Sequence, residues 1–355
     1  MLSIDGARYS GSGTIVRDAV ALAAILRQPI RVYHIRAQRK PPGLRAQHVA
    51  VVRAIATLCG GRLQGDAVGS HELLFFPGKS IQNGNFNFDI GTAGSTTMLA
   101  AALLPVLLFA KAPVTVTIVG GVFQDFAPSA FHFQQVLLPL LAQMGIQASL
   151  SIVRPGYVPS GGGKIRLSVT PITHPLSPLR CIAQGDIQHV KGIALASHLK
   201  QRRVAMRLAQ SCERRLKAHG LQVTIQRLED EENHPAFDLP APQPGAALAI
   251  WTSSQTGAHI GADMAGKPGR PSEYIGENVA QQFLEDLASG AAVDRHLADQ
   301  WIPFAALAAG ESLVHVPFIS DHIQARLWLV HTILGARIQV ENKLVMVSGK
   351  GISQR

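Results

Sequence analysis

The same order of strand and helix patterns recurs along the 355-residue chain, and this internal repeat constrains the fold more than any other feature. In each copy a strand pattern precedes a helix pattern that ends at a glycine, and further strand patterns follow. Stacked units of this kind predict an α/β (α+β) fold with sheets on one side and helices on the other. The helices of the copies are expected at residues 48–59, 133–144, 199–219 and 322–334.

The composition changes between residues 175 and 270, where the proline-rich run PAFDLPAPQPG and the acidic cluster EDEE occur. This change predicts a small inserted α/β domain, with EDEE as a solvated loop. The sequence thus predicts a discontinuous large domain, an insert and a short tail. Their boundaries are 1–177 with 273–345, 178–272 and 346–355, respectively.

The formal net charge is +10 although only 16% of residues are charged, so the excess reflects a shortage of acidic residues. A nucleotide or nucleic acid is therefore a plausible partner. Three cysteines without a CxxC pair argue against a disulfide framework or a structural zinc site and favour a reducing cytoplasm. No signal peptide is visible, and the apolar stretch 98–110 is too short to span a bilayer, so we expect a buried helix and no membrane role.

Three glycine-rich segments are candidates for anion binding. Two of them, PGKS and GGGK, do not match a phosphate loop of the Walker type. PGKS has Leu73 where that loop needs glycine, and GGGK is followed by Ile165 instead of serine or threonine. In GARYSGSGTIVR, Gly11 and Gly13 could expose backbone N–H groups at a helix start with Arg17 one turn in. A simple tight turn is the alternative.

The arginine-rich loop IRAQRKPPGLRAQH places Arg36, Arg39, Lys40 and Arg45 around a Pro-Pro-Gly turn. Several guanidinium groups on one rigid loop suit an anion site beside the glycine-rich segment. A solvated basic loop is the alternative.

Seven segments together resemble the RNA 3′-terminal phosphate cyclase family, in the family's order. They cover roughly residues 3–170 and 260–345, and the insert between them is divergent. The segments are IDGARYSGSGTIVR, IRAQRKPPGLRAQH, FDIGTAGSTT, GYVPSGGGK, GKPGRPSEYIGE, HLADQ and SDHIQARLWLV. The resemblance implies a large domain of repeated two-helix, four-stranded-sheet units with a smaller inserted α/β domain.

The resemblance also implies a reaction that uses ATP and a divalent metal, Mg or Mn. A histidine attacks the α-phosphate of ATP, AMP passes to an RNA 3′-phosphate end, and the 2′-hydroxyl closes a 2′,3′-cyclic phosphate. On this resemblance His322 corresponds to the nucleophile. The adenosine contacts correspond to Pro128, His296, Asp299 and Gln300, and the phosphate and RNA-end contacts to Arg17, Arg36, Arg39, Gln47 and His48.

The residues themselves favour His322 among the fourteen histidines. Ser320 and Asp321 are good N-cap residues, so His322 is predicted in the first turn of a helix. The positive end of the helix dipole disfavours imidazolium there, and free N–H groups can bind a phosphate.

Five positions depart from the family pattern, and one of them is His296, where the family has a tyrosine whose ring stacks near the adenine. Ser10 stands where a glutamate ligates metal, Ala101 where a glutamine lies near the nucleotide, and Ala325-Arg326 where the family has Thr-Asn after the nucleophile. Arg326 is four residues after His322, so both are expected on one helix face. We hypothesise that Arg326 holds the ATP phosphates and keeps His322 neutral by like-charge repulsion.

Two other functions compete with a cyclase. A cyclase-like RNA-binding or RNA-processing protein without cyclase activity would share most of the segments, although that branch lacks the histidine that this chain keeps. An enolpyruvyl transferase would also use repeated sheet-and-helix units, but it would leave HLADQ and the histidine-led helix unexplained. The insert could recognise RNA through Arg202, Arg203 and Arg207, or contact another subunit.

Overall fold

The computed structural model describes residues 1–354, which form four four-stranded sheets. Three sheets share one strand order: the first strand of a unit runs parallel to the second, and the fourth lies antiparallel between the second and third. The predicted α/β (α+β) class of repeated four-stranded units with an inserted α/β unit is confirmed.

Unit one begins at the N-terminus. Ser12 accepts a hydrogen bond from the Thr14 backbone N–H (3.3 Å), and this cap fixes the start of the first helix. The second helix ends at Gly60 in the left-handed conformation (φ 63°), as predicted. The elements are β1 (Leu2–Asp5), α1 (Gly13–Leu26), β2 (Ile30–Tyr33), α2 (Ala46–Cys59), β3 (Arg62–Gln64) and β4 (Leu73–Phe76).

Unit two repeats this order and contains a π-helical stretch, Phe133–Leu137, between two short α-helices. Its first helix is the apolar segment predicted to be buried, and Pro105 lies inside it. Across residues 1–354, no helix combines the length and apolarity that a membrane span requires. The elements are β5 (Gly84–Asp89), α3 (Thr96–Leu107), β6 (Val114–Gly120), α4 (Ala130–His132), α5 (Leu138–Ala142), β7 (Gln147–Arg154) and β8 (Gly163–Thr170).

Unit three is interrupted after its first strand, β9 (Arg180–Cys181), by an inserted unit with its own sheet. The inserted elements are β10 (His189–Ser197), α6 (Val204–Ala218), β11 (Gln222–Asp230), β12 (Gly245–Ser253), β13 (His259–Ala265) and α7 (Ser272–Ala288). Unit three then continues with α8 (Leu297–Gln300), α9 (Ile302–Leu307), β14 (Glu311–His315), α10 (Asp321–Leu334), β15 (Arg337–Glu341) and β16 (Leu344–Ser348).

Helix α1 packs against helices from all three repeated units, because it contacts α2, α3 and α10. Its apolar residues belong to one large core that also contains Trp301, whose indole N–H donates to the Ala298 carbonyl (2.9 Å). The insert has a second, separate core between its sheet and the helices α6 and α7. The first turns of several helices thereby meet within the large domain.

The domain boundaries stay predictions, but some contacts cross them. Strand β9 pairs with β14 in the third repeated sheet, although the boundary at 177/178 places it in the insert. Helix α7 contributes Ile275 and Phe283 to the insert's core, although the boundary at 272/273 assigns it to the large domain.

The prediction of a solvated EDEE loop is wrong for Asp230. This residue ends β11, is fully buried, and accepts hydrogen bonds from the Ala236 and Ala241 backbone N–H groups (3.0 and 2.9 Å). A buried carboxylate with two backbone donors replaces its lost hydration by hydrogen bonds.

Tyr157 connects the large domain to the insert, and its loss should be measurable. Its buried hydroxyl lies 2.8 Å from the hydroxyl of buried Ser197 at the end of β10. We predict that Tyr157→Phe lowers the free energy of unfolding by about 1 to 3 kcal/mol, because Ser197 loses its partner. Tyr157→Ala should cost about 3 to 5 kcal/mol through the cavity it leaves. Guanidinium denaturation measures both; a Tyr157→Phe protein as stable as the wild type contradicts the prediction.

Candidate active site

Four helices begin at one cavity of about 910 Å³. The residues at their N-caps, Ser12 of α1, Arg45 of α2, Ser95 of α3 and Ser320 of α10, all line it. Because the first turn of a helix presents free N–H groups and the positive end of its dipole, each start favours an anion. Their convergence gives the cavity wall an electrostatic preference for anions.

The charged side chains in the wall reinforce this preference. Asp125 and Asp299 are the acidic lining residues, whereas the basic ones are Arg17, Arg36, Arg39, Arg45, Lys267, Arg295 and Arg326. Within residues 1–354, four of these arginines have no carboxylate at ion-pair distance: Arg17, Arg36, Arg39 and Arg45. Four guanidinium groups without counter-ions favour phosphate as the missing partner.

All ten site residues predicted from the sequence line this one cavity, although their assigned roles stay predictions. The ten are His322; Pro128, His296, Asp299 and Gln300; and Arg17, Arg36, Arg39, Gln47 and His48.

His322 occupies the first turn of α10, as predicted. The Ser320 hydroxyl caps this helix by accepting from the Ile323 backbone N–H (3.2 Å). The imidazole is exposed to the cavity. Withdrawal from bulk water lowers the pKa of His322; Asp299 opposes this shift, and Arg326, Arg17 and Arg39 add to it. The ring is therefore neutral at pH 7.

Thr14 links His322 to Arg17. Its Oγ1 lies 3.4 Å from His322 Nδ1, a long hydrogen bond, and accepts from Arg17 Nη2 at 3.1 Å. Arg17 is buried, and that burial lowers its pKa to about 10, which still leaves the guanidinium charged. A buried cation that has no carboxylate at ion-pair distance among the described residues thus lies one side chain away from the imidazole.

His48 is held neutral by its position in the first turn of α2. The Arg45 backbone N–H donates to His48 Nδ1 (3.0 Å), so the ring proton is on Nε2. Burial, followed by the charges of Arg17, Arg36 and Arg45, lowers the pKa of His48 to about 3. A Cβ at Gly13 would lie 2.0 Å from His48 Nε2, so this approach of α1 to α2 requires glycine.

Backbone carbonyls shape the arginine-rich loop. Arg36 Nη1 donates to the carbonyls of Pro41 and Gly43 (both 2.9 Å), and Arg39 Nη2 donates to the Ser10 carbonyl (2.8 Å). Burial and the neighbouring Arg45 and Arg39 lower the pKa of Arg36. These bonds direct the loop toward the glycine-rich start of α1.

The HLADQ segment is positioned by Asp294, which is fully buried. Its Oδ1 accepts from the His296 and Leu297 backbone N–H groups (both 2.8 Å), and its Oδ2 lies 3.0 Å from His132 Nε2. Burial disfavours a charged His132, but Asp294 outweighs that effect and raises its pKa. The His132 ring also contacts His296 edge-on, at 6.1 Å between ring centroids.

The hypothesis that Arg326 holds the ATP phosphates is not supported by its contacts. Arg326 Nε donates to Asp18 Oδ2 (2.7 Å), and Nη1 lies 3.2 Å from Asp299 Oδ2 without hydrogen-bond alignment. The guanidinium is buried and already engaged by two carboxylates. Its lowering effect on the pKa of His322 agrees with the second half of the hypothesis.

The donor set does not fit a protein-bound divalent metal. Ser10 is buried, with its hydroxyl 3.0 Å from that of Ser12, and it carries no charge. Asp125 and Asp299 are engaged by Arg270 and Arg326. In the described part of the chain, no three His, Cys, Asp or Glu side chains cluster to hold a metal.

Sequence reasoning missed several lining residues. Phe126 and Phe318 are exposed aromatic residues, and Lys267 is a mostly exposed cation near Asp125 (3.9 Å). The GKPGRPSEYIGE segment contained Lys267 as a signal, but nothing in the sequence assigns Phe126 to this wall. Asp18 was missed because its partner, Arg326, is 308 residues away in sequence.

The buried charge network makes a prediction about stability. Arg326→Met leaves Asp18 buried without a partner and should lower the free energy of unfolding by about 3 to 5 kcal/mol. Asp18→Leu combined with Arg326→Met should recover most of this loss, because no buried carboxylate remains at position 18. Chemical denaturation of the single and double variants measures both effects.

An exposed ion pair provides the matched control. Arg53 Nε donates to Asp66 Oδ2 at the same 2.7 Å, but the Arg53 side chain is 60% exposed. Arg53→Met should therefore cost less than about 1 kcal/mol. If Arg53→Met and Arg326→Met lower the free energy of unfolding equally, the buried network stabilises the protein no more than the exposed ion pair does, which would contradict the prediction.

Comparison with known proteins identifies the family. The model of the family described as RNA 3′-terminal phosphate cyclase matches residues 8–340. An RNA 3′-terminal phosphate cyclase of Hyperthermus butylicus is 39% identical over 96% of this chain and 93% of its own length. One of Methanopyrus kandleri is 34% identical over 97% and 96%.

A solved structure, the enolpyruvyl transferase NikO from Streptomyces tendae, is 18% identical and covers 48% of this chain and 33% of its own. Its TM-score of 0.29 is too low to support an argument about fold or function. The sequence matches, which span nearly the whole chain, carry the assignment. The chain belongs to the RNA 3′-terminal phosphate cyclase family.

Proposed function

We propose that this protein converts RNA 3′-phosphate ends to 2′,3′-cyclic phosphates with ATP, through AMP bound covalently to His322. The observation that carries the proposal is the placement of a neutral imidazole beside Arg17, a buried guanidinium without a carboxylate partner in the described chain. Both lie where four helix N-termini converge. The relatives' name, RNA 3′-terminal phosphate cyclase, supplies the substrate class.

In the first step, a ring nitrogen of His322 attacks the α-phosphorus of ATP. The N–P bond forms as the bond from the α-phosphorus to the bridging oxygen breaks, and pyrophosphate leaves. Negative charge accumulates on the leaving group, and Arg17 together with the start of α10 can stabilise it. The other arginines of the wall lie in the same cavity as the imidazole.

The hydrogen bonds favour Nε2 as the attacking atom. Arg17 donates to Thr14 Oγ1, which leaves that oxygen able to accept from an Nδ1–H of His322. A proton on Nδ1 places the free lone pair on Nε2. We propose that the reacting enzyme has this Nδ1–H tautomer, and the lowered pKa of His322 keeps the second proton off.

In the second step, an oxygen of the RNA 3′-phosphate attacks the phosphorus of the bound AMP, and the N–P bond to His322 breaks. The neighbouring 2′-hydroxyl then attacks the 3′-phosphorus, loses its proton, and displaces AMP. Adenylylation supplies the leaving group that an unmodified phosphate lacks. Arg36 and Arg39 lie on one loop of the cavity wall and suit the RNA phosphate.

ATP fits the cavity by charge and volume, with Pro128, His296, Asp299 and Gln300 proposed on the adenosine side. A divalent metal remains a proposal on the family resemblance alone. The available side chains would not hold it without oxygen ligands from the triphosphate and water.

Covalent labelling tests the nucleophile. With α-labelled ATP and Mg²⁺ or Mn²⁺, the wild-type chain should take up label, and His322→Ala should reduce the labelling rate by at least about a thousandfold. His331→Ala is the matched control, because His331 is an exposed histidine near the other end of α10. It should label at the wild-type rate.

Absence of label on the wild-type protein with any divalent metal would contradict the proposal. If such a protein still binds RNA, the non-catalytic cyclase-like RNA-binding function becomes the better description. Label that persists in His322→Ala would contradict the choice of nucleophile.

The pH dependence of labelling tests the environment of His322. Because its pKa is lowered, the neutral ring persists below pH 6.5, so the acid limb of the wild-type profile should lie below that value. Arg326→Met removes a repelling charge and frees Asp299, which raises the pKa, so the limb should move to higher pH. A wild-type limb at or above pH 6.5 would contradict the assignment.

A further inference from the structure

Phe126 is a fully exposed aromatic residue in the wall of the cavity, and neither the fold nor the proposed chemistry explains it. It lies between β6 and α4 with φ +67°, a backbone conformation that bulky side chains rarely adopt. An exposed ring in a disfavoured backbone conformation does not contribute to a hydrophobic core. Its position suggests contact with a ligand that enters the cavity.

The loop that carries Phe126 is anchored on both sides. Asp125, the preceding residue, accepts two hydrogen bonds from Arg270, both 2.8 Å. The Pro128 carbonyl accepts from Thr97 Oγ1 (2.8 Å), and the Ser129 backbone N–H donates to Asp263 Oδ2 (2.6 Å). The ring is therefore presented by a fixed backbone, which reduces the entropy lost on binding.

The surroundings of Phe126 match those of single-strand binding sites. Lys267 Nζ lies 3.9 Å from Asp125 Oδ2, so a mostly exposed cation is close to the loop. Phe318, 47% exposed and four residues before His322, lines the same cavity. An exposed ring beside cations that can follow a phosphate backbone is the usual arrangement for stacking bases without sequence preference.

From these observations we infer that Phe126 stacks on a nucleobase of the RNA strand, next to the 3′-terminal nucleotide. The inference rests on the proposed function. In the proposed reaction the RNA 3′ end lies at His322, so the nucleotides that precede it extend away from His322 along or out of the cavity. Phe126, a fully exposed ring in the cavity wall, is available to them, whereas the adenosine of ATP is proposed beside Pro128 and His296.

Equilibrium binding of 5′-fluorescein-labelled single-stranded RNA ending in a 3′-phosphate tests the inference. Phe126→Ala should raise Kd about tenfold, which corresponds to about 1.4 kcal/mol. Phe126→Tyr should bind within about twofold of wild type, since it keeps the ring. Phe126→Leu, which keeps apolar bulk without the ring, should resemble Phe126→Ala.

A second measurement locates the base. An abasic nucleotide next to the 3′ end should weaken binding to the wild type but not further weaken binding to Phe126→Ala, as a double-mutant cycle requires for a direct contact. Tyr274→Ala is the control, because Tyr274 is a 53% exposed ring outside the cavity wall. It should leave Kd unchanged.

Two results of the RNA-binding measurements would overturn the inference: an unchanged Kd for Phe126→Ala, or additive losses of binding free energy for Phe126→Ala and the abasic nucleotide. A third is a raised KM for ATP in self-labelling of Phe126→Ala while its RNA affinity stays unchanged. That result would assign the ring to the adenine of ATP. Failure of the proposed function is distinguishable. A wild-type protein that binds the RNA but takes no label from ATP fails the chemistry, while its RNA affinity still tests Phe126.

Discussion

The convergence of helix N-termini on one cavity is the constraint on which the rest of the site depends. Each helix start carries about half a positive elementary charge, and here the starts of α1, α2, α3 and α10 face one another. Within residues 1–354, Arg17, Arg36, Arg39 and Arg45 lack a carboxylate at ion-pair distance and add to that potential, which favours an anion in the cavity. Burial, together with the charges of neighbouring arginines, lowers the pKa of His322 and of His48, so both rings are neutral at pH 7.

The Asp18–Arg326–Asp299 network moderates this potential. It connects α1, α10 and α8, and in it Asp18 and Asp299 flank the Arg326 guanidinium, which lies on the same helix as His322, four residues after it. On the family resemblance, Ser10 and Arg326 change the site in compatible directions: Ser10 replaces an acidic residue, and the added base, Arg326, is paired with Asp18 and Asp299. The catalytic proposal consequently relies on Arg17, Thr14 and the helix starts rather than on Arg326.

Helix ends and caps that depend on residues close together in sequence were largely predicted correctly. Helices α2 and α10 end at Gly60 and Gly335, both at positive φ, and Ser320 caps the helix of His322. The helix predicted at 133–144 is instead a π-helical stretch followed by α5, which ends at Ala142, before Gly145. Contacts between distant segments were not predictable from local patterns. Pairing of Asp18 with Arg326 and the packing of α7 on the insert depend on tertiary structure, and the exposure of Phe126 is decided by loop anchors from three separate segments.

The most direct test of the central claim is a crystal structure with α,β-methylene-ATP, which cannot transfer AMP. We expect the α-phosphorus about 3 to 3.5 Å from His322 Nε2, with the triphosphate against Arg17 and the first turn of α10. A nucleotide bound with its phosphates outside the converging helix starts, or with His322 out of reach of the α-phosphorus, would contradict the account.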